Sequence, residues 1–399
     1  MKKLLLLGGS PQQVIAIEKA KQLGYYTILC DYLPDNPGQY AAHKFYPVST
    51  TDRQAVLEVA RQEQAQGVLA YASDPAASTA AFVAQEMGLP GNPLNSVEIL
   101  CNKDKFRAFL RENGFHTPLA RGYGSVEEVQ EDLTRGYFPF PVLVKPVDSS
   151  GSKGVSVLFE AEHAKPALEN ALSFSRSGRI LVEKYIEKAH PYLIGGDILV
   201  ADGKIVLWGL LNCHRDPRAN PLVPAGKSYP PALTSAVESR VKETLQNLVS
   251  CLHIQNCCMN VELVADKQNR VFPLDIGPRC GGNMIPDLLE CIFGVHTAAL
   301  SVQMAMGQPI CINASPSPDC FATYNLHSTG SGILKEFYFD KKAKDHVFRK
   351  CFYKQPGDRV DFFDNASKAL GIVFLRFQTP EETCFFMDHA GEHIQAVLV

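Results

Sequence analysis

The 399-residue sequence lacks any long hydrophobic run: nothing approaches the roughly 18 consecutive apolar residues of a membrane span. The opening MKKLLLL stops after four leucines at Gly8-Gly9. That is too short for the apolar core of a signal peptide, and no small-residue cleavage site follows. An excess of one charge is missing too. Lys and Arg number 39 against 42 Asp and Glu, a net charge of −3, so neither nucleic acid nor an acidic membrane surface is expected as a partner. The twelve cysteines form no C-x-x-C pair and no histidine spacing suited to zinc. They read as reduced thiols that pack as small hydrophobes, Cys257 and Cys258 included, and the expected location is the cytoplasm. Internal repeats and low-complexity tracts are absent.

What is present is ample apolar material, 46 % of residues, in a length suited to two or three domains. Residues 3–7 read as a strand, 14–23 as a helix capped by Gly24, and YTILCD as a second strand ending in Asp31. DRQAVLEVARQEQ and STAAFVAQEMG follow as helices around the strand GVLAYASD. Such alternation predicts βαβ units and a parallel sheet over residues 1 to about 95. From Asn102 the texture changes. NKDKFRAFLRENG is an amphipathic helix, a second helix lies near 125–135, and hairpins then replace the alternation: PVLVKP to GVSVLF, RILVEKYI, and GDILVADGKIVLWGLL with its turn at Asp202-Gly203. A helix over 235–252 precedes a further hairpin, MNVELVADKQNRVFPLDIGPR. Strands recur at CFATYNLHS and GIVFLRF. Pro217–Pro231 reads as a loop.

The stretch VLVKPVDSSGSKGVSVL places a Ser/Gly-rich tip between two strands, with Lys145 before it and Lys153 inside it. Small residues expose backbone N–H groups to which a phosphate can approach closely. No helix follows the tip and the lysine precedes it, so this is no Walker loop; taken alone, a plain flexible turn fits as well. Downstream, Glu262 and Asp275 fall near facing positions of one hairpin. Pointing the same way, they would hold a hard divalent cation carrying nucleotide phosphates; otherwise they are exposed surface acids. Arg279 could hold an anionic oxygen through two N–H groups.

In order along the chain, these pieces resemble the ATP-grasp superfamily, in particular the branch near biotin carboxylase and the amino-acid and dipeptide ligases. The likeness covers most of the chain. It implies an α/β and α+β fold in three parts: a Rossmann-like domain over 1–100, the ATP-grasp nucleotide-binding and catalytic domain over 101–312, and a small C-terminal α+β domain over 313–399 that completes the substrate side. Lys103 matches the first nucleotide lysine and Lys145 the second. Ser149, Ser150, Gly151, Ser152, Lys153 and Gly154 match the loop that closes over the triphosphate. Glu183, Lys184, Tyr185 and Ile186 match the adenine segment, with backbone groups of Lys184 and Ile186 reading the base edge and Glu183 taking the amino group. Glu262 and Asp275 match the acids that bind magnesium, or manganese in its place, and Arg279 the arginine beside the transferred phosphate. Arg215 or Lys227, in the Pro-rich segment, would meet the γ-phosphate or the substrate carboxylate if that segment is not simply a solvated loop.

Two departures stand out. The family has asparagine in D/E-I-N-P-R, and here Gly277 fills that place. The glutamate usual near the ribose is also missing, with His190 or Tyr192 on offer instead. Gly8-Gly9-Ser10 with Asp31 imitates a dinucleotide fingerprint but lacks G-x-G-x-x-G. The resemblance implies an ATP-dependent carboxylate–amine ligase acting on small-molecule carboxylate and amine substrates through an acyl phosphate, and homodimers are common among such proteins. The competing expectations are a bicarbonate-using carboxylase or carbamoyl-phosphate-synthase-like enzyme, a non-catalytic ATP-binding module, and an NAD-dependent oxidoreductase.

Overall fold

A computed structural model describes residues 1–399. The N-terminal segment forms a four-stranded parallel sheet in which Lys3–Leu7 lies between Tyr26–Cys30 and Gly67–Ala70, with Lys44–Tyr46 at one edge. Its central strands are buried along nearly their whole length, which is why they read as continuous apolar runs rather than alternating ones. The third expected strand is shorter than its sequence suggested. It stops at Ala70, and Ala72 takes a left-handed φ of 53°. The next helix therefore begins at Asp74, where Pro75 suits a first helical turn. That early start carries Asp74 to the domain's edge.

A second sheet is antiparallel, in the order Ala120–Tyr123, Ile180–Lys184, Val142–Pro146 and Ser156–Leu158. Helices Val126–Thr134 and Ala164–Ser173 cover one face and bury Leu133, Leu168 and Ala171 against Val142, Val144 and Val182. This small lobe carries the Ser/Gly-rich tip.

The large lobe is one eight-stranded antiparallel sheet. Its order runs Val271–Gly277, Cys257–Ala265, Leu193–Ala201, Lys204–Arg215, Pro224–Tyr229, Cys320–Leu326, Gly371–Phe377 and Val347–Phe352. The expected turn at Asp202-Gly203 is there, both residues with positive φ (48° and 75°), the geometry a two-residue hairpin needs. The segment expected as a loop is only half one. Pro224–Tyr229 is a strand pairing with Asn212–Arg215 on one side and Phe321–Tyr324 on the other, its proline at the first strand position where no ladder donor is missed. The sheet therefore continues across residue 312 into the last part of the chain. Its largest core packs against helix Ser235–Cys251. All twelve cysteines are free, and Cys257 and Cys258 are buried. No single helix is long and apolar enough to cross a membrane.

Candidate active site

The small lobe, the large sheet and the edge of the N-terminal domain enclose a cavity of about 560 Å³. On the small-lobe side, helix Lys103–Glu112 starts where the Asn102 side chain accepts the Lys105 N–H, a standard N-cap. That cap fixes Lys103 at the rim. Its Nζ donates to the Ser149 carbonyl at 2.7 Å and lies 3.3 Å from Asp275 Oδ2, so one side chain links the Ser/Gly-rich tip to the large lobe.

Lys145 emerges from the middle strand of the small lobe, buried, with Nζ 2.5 Å from Glu183 Oε1. Glu183 Oε2 accepts from Arg107 Nε at 2.7 Å. Arg107 itself is 2 % exposed and also donates to the carbonyls of Pro273 and Leu274 on the opposite lobe. Burial opposes ionisation of Glu183, but Arg107 and Lys145 overcome it and hold the carboxyl down to about 2. Burial, with Arg107 and Lys103 adding to it against the pull of Glu183, brings the Lys145 ammonium below the ordinary lysine value. Expected as an adenine contact, Glu183 instead spends its carboxylate on two cations. The sequence pointed to neither Arg107 nor this triad. The one available signal was its place a turn after Lys103, on the apolar face with Phe106 and Leu110.

The tip is folded down onto the large lobe. Ser152 Oγ donates to the Leu222 carbonyl at 3.0 Å, and the Ala366 N–H donates to the Gly151 carbonyl at 3.1 Å. Gly151, Ser152 and Gly154 all have positive φ, and a Cβ on Gly154 would meet Phe174 and Pro146 at 3.0 Å. Ser149 to Lys153 line the cavity; Gly154, expected with them, is not among the lining residues.

Lys184, Tyr185 and Ile186 also line it. The Lys184 N–H is taken by the Leu119 carbonyl and the Tyr185 N–H by the Pro141 carbonyl, while the Ile186 N–H has no backbone partner. His190 is not a lining residue. Its Nδ1 accepts the Tyr192 N–H, and Lys188 of the same segment lines the cavity. Tyr192 is in turn committed to Asp388 at 2.8 Å.

On the large-lobe side, Glu262 and Asp275 are register partners across one hairpin, so both side chains leave the same face. Each is held by a protein cation: Arg215 Nη2 lies 2.6 Å from Glu262 Oε1, and Lys103 approaches Asp275. Burial works against the Asp275 carboxylate, yet Lys103, Lys145 and Arg279 bring it below the ordinary aspartate value. Two opposed carboxylates already balanced by cations are a donor set that fits a hard divalent cation. Lys227 points into the cavity from the unexpected strand, its Nζ 2.6 Å from Cys213 Sγ on the neighbouring one. Arg279 Nη2 donates to Asp74 Oδ2 at 2.6 Å, a contact from the N-terminal domain that the sequence did not signal. Beyond it, Asp197 is fully buried and accepts the Gly281 N–H and the Asn260 amide. The Asn283 N–H reaches Gln12 of the N-terminal domain, and Asn283 and Met284 are both left-handed at φ 54°. In the N-terminal domain the Asp31 carboxylate accepts the Gly9 and Leu33 amides, one on each oxygen.

A cleft of this kind, between an antiparallel small lobe and a larger sheet, defines the ATP-grasp superfamily. Residues 102–312 match the family described as "Carbamoyl-phosphate synthase L chain, ATP binding domain", more than half of the chain, and the protein belongs to that family. Among its relatives, the carbamoyl phosphate synthase large chain, C-terminal section, of Aquifex aeolicus is 24 % identical over 77 % of this chain, which spans 59 % of that protein. The formate-dependent phosphoribosylglycinamide formyltransferase of Wolinella succinogenes is 25 % identical over 87 % of each chain. The fold of an L-amino acid ligase from Bacillus licheniformis superimposes with a TM-score of 0.83 at 20 % identity, covering 100 % of this chain and 99 % of that one.

Proposed function

We propose that this protein is an ATP-dependent carboxylate–amine ligase that activates a small carboxylate, an amino acid in the first instance, and joins it to an amine. A carboxylate resists nucleophiles because its own charge repels them. Transfer of the γ-phosphoryl of ATP to a carboxylate oxygen yields an acyl phosphate and ADP. Attack by an amine then forms the amide, with phosphate leaving and the amine losing a proton. The protein's share is positioning and charge compensation. Lys103 and Lys145 would take the phosphate oxygens of the nucleotide, and Arg279 the group in transit. Glu262 and Asp275 would hold magnesium, which when bound supplies further charge neutralisation on the phosphates. Arg215 or Lys227, which both line the cavity, would meet the γ-phosphate or the substrate carboxylate. The tip at 149–154, latched to Leu222 and Ala366, keeps water from the acyl phosphate.

One observation carries this reading: Glu262 and Asp275, directly opposed on one face, stand in the same cavity as Lys103, Lys145 and Arg279. Phosphate release from ATP with magnesium, across a panel of amino acids and small carboxylates with and without amines, tests it. Release that needs a particular acid, rises with a particular amine and disappears in Lys145→Ala is the expected result. Release with bicarbonate alone would replace the acid in the scheme, and nucleotide binding without release under every condition would overturn the ligase.

A further inference from the structure

Asp74 has no part in the scheme above, yet its setting is unusual. It is the first residue of the helix Asp74–Met87 and the carboxylate by which the N-terminal domain reaches Arg279. Only one of its oxygens is used. Oδ1 is enclosed with no hydrogen-bond partner, and so is Nε of Arg279. Enclosed polar atoms without partners are destabilising, so maximal stability does not account for this arrangement.

Gly277 shows what makes the contact fit. A Cβ there would sit 2.5 Å from Asp74 Oδ1 and 2.9 Å from the Arg279 guanidinium carbon, with Nη2 at 3.0 Å. Its φ lies outside the left-handed region, so backbone freedom is not the reason for glycine. Space is. Gly277 is two residues from Asp275 on the same strand, so any side chain there would project into the cavity where Asp74 now lies.

We propose that Asp74 is a positioning residue for Arg279, and that position 277 is glycine in order to admit it. The N-terminal domain thereby sets the guanidinium that faces the phosphoryl group in transit. Without Asp74, the only remaining side-chain bond of Arg279 runs from Nη1 to the carbonyl of its neighbour Cys280, which leaves the fork free to swing. The two positions are one device read from two places in the sequence. This inference rests on the ligase reading for its catalytic half and on packing alone for its structural half.

The experiment is a cycle of Asp74→Asn, Asp74→Ala, Gly277→Ala and the double variant Asp74→Ala/Gly277→Ala, each read by kcat, by the KM for ATP and by melting temperature. Asp74→Asn is expected to lower kcat on the order of tenfold to a hundredfold with the KM for ATP unchanged, the pattern of a displaced group rather than a lost nucleotide site. Gly277→Ala is expected to lower kcat and melting temperature in the native background and to lower both less once Asp74 is alanine, because the clash with Asp74 Oδ1 is then gone and only the freed guanidinium has to give way. An Asp74→Asn effect below about twofold in kcat, or an equal Gly277→Ala penalty in both backgrounds, would overturn the proposal. Should no substrate turn the native enzyme over, the ligase reading falls. The melting-temperature coupling between the two positions would still decide the packing claim.

Discussion

The two sides of the cleft handle acid–base pairing in opposite ways. On the small-lobe side, the Glu183 side chain is 4 % exposed and locked between Arg107 and Lys145, with no freedom to exchange partners. On the large-lobe side, Glu262 and Asp275 are 29 % and 42 % exposed, and their cations Arg215 and Lys103 approach from the cavity. A buried triad is costly to break because each member would leave the others unpaired in a medium of low polarity. A partly solvated pair contributes little and exchanges freely. The first arrangement sets where Lys145 stands. The second leaves two carboxylates whose cation partners can exchange, as the magnesium role proposed for them requires.

Lys145→Ala should break the fixed side most severely for chemistry, lowering phosphate release on the order of a hundredfold or more, as measured by single-turnover kinetics. Glu183→Ala should break it most severely for folding, costing about 3–5 kcal/mol in urea unfolding because Lys145 and Arg107 would face each other uncompensated. The same carboxyl sets an acid limb. Held at about 2 when folded against an ordinary 4.5, it leaves the unfolded chain binding more protons between those values, so stability rises with pH across that window. The contribution is complete above pH 4.5 and lost as pH falls toward 2, and Glu183→Gln should flatten melting temperature against pH in that range. On the exchanging side, Glu262→Gln should weaken manganese bound with ADP by about tenfold in an electron paramagnetic resonance titration. Its cost to stability should stay within about 1 kcal/mol. Ser152→Ala removes one latch bond of the tip and should be the smallest change, about 1 kcal/mol of loop closure, seen as faster amide exchange at residues 149–154.

The local features were legible because local chemistry fixes them. Asp202-Gly203 announced its turn, and the facing of Glu262 and Asp275 followed from the hairpin that joins them. What escaped depends on partners far along the chain. Arg107 looked like one more cation on an amphipathic helix, and only the approach of Glu183, 76 residues away, reveals it as a buried one. Asp74 sat inside an expected strand, and its role appears only where residue 279 comes to meet it. The strand Pro224–Tyr229 lacked alternation because both of its neighbours in the sheet, one of them beyond residue 320, supply the bonds that its own composition does not suggest. His190 drew notice by sequence position alone; its ring accepts the Tyr192 N–H, and it does not line the cavity.

The continuity of the large sheet also bears on how this polypeptide can be cut. The family match ends at residue 312, but the outer edge of Pro224–Tyr229 is covered by a strand that begins at Cys320. A fragment ending at that match would present a row of unpaired amides and carbonyls, with apolar residues behind them, to every other copy in solution. The piece that sequence comparison delimits so cleanly would therefore self-associate through that bared edge, and a soluble preparation needs the last strands attached.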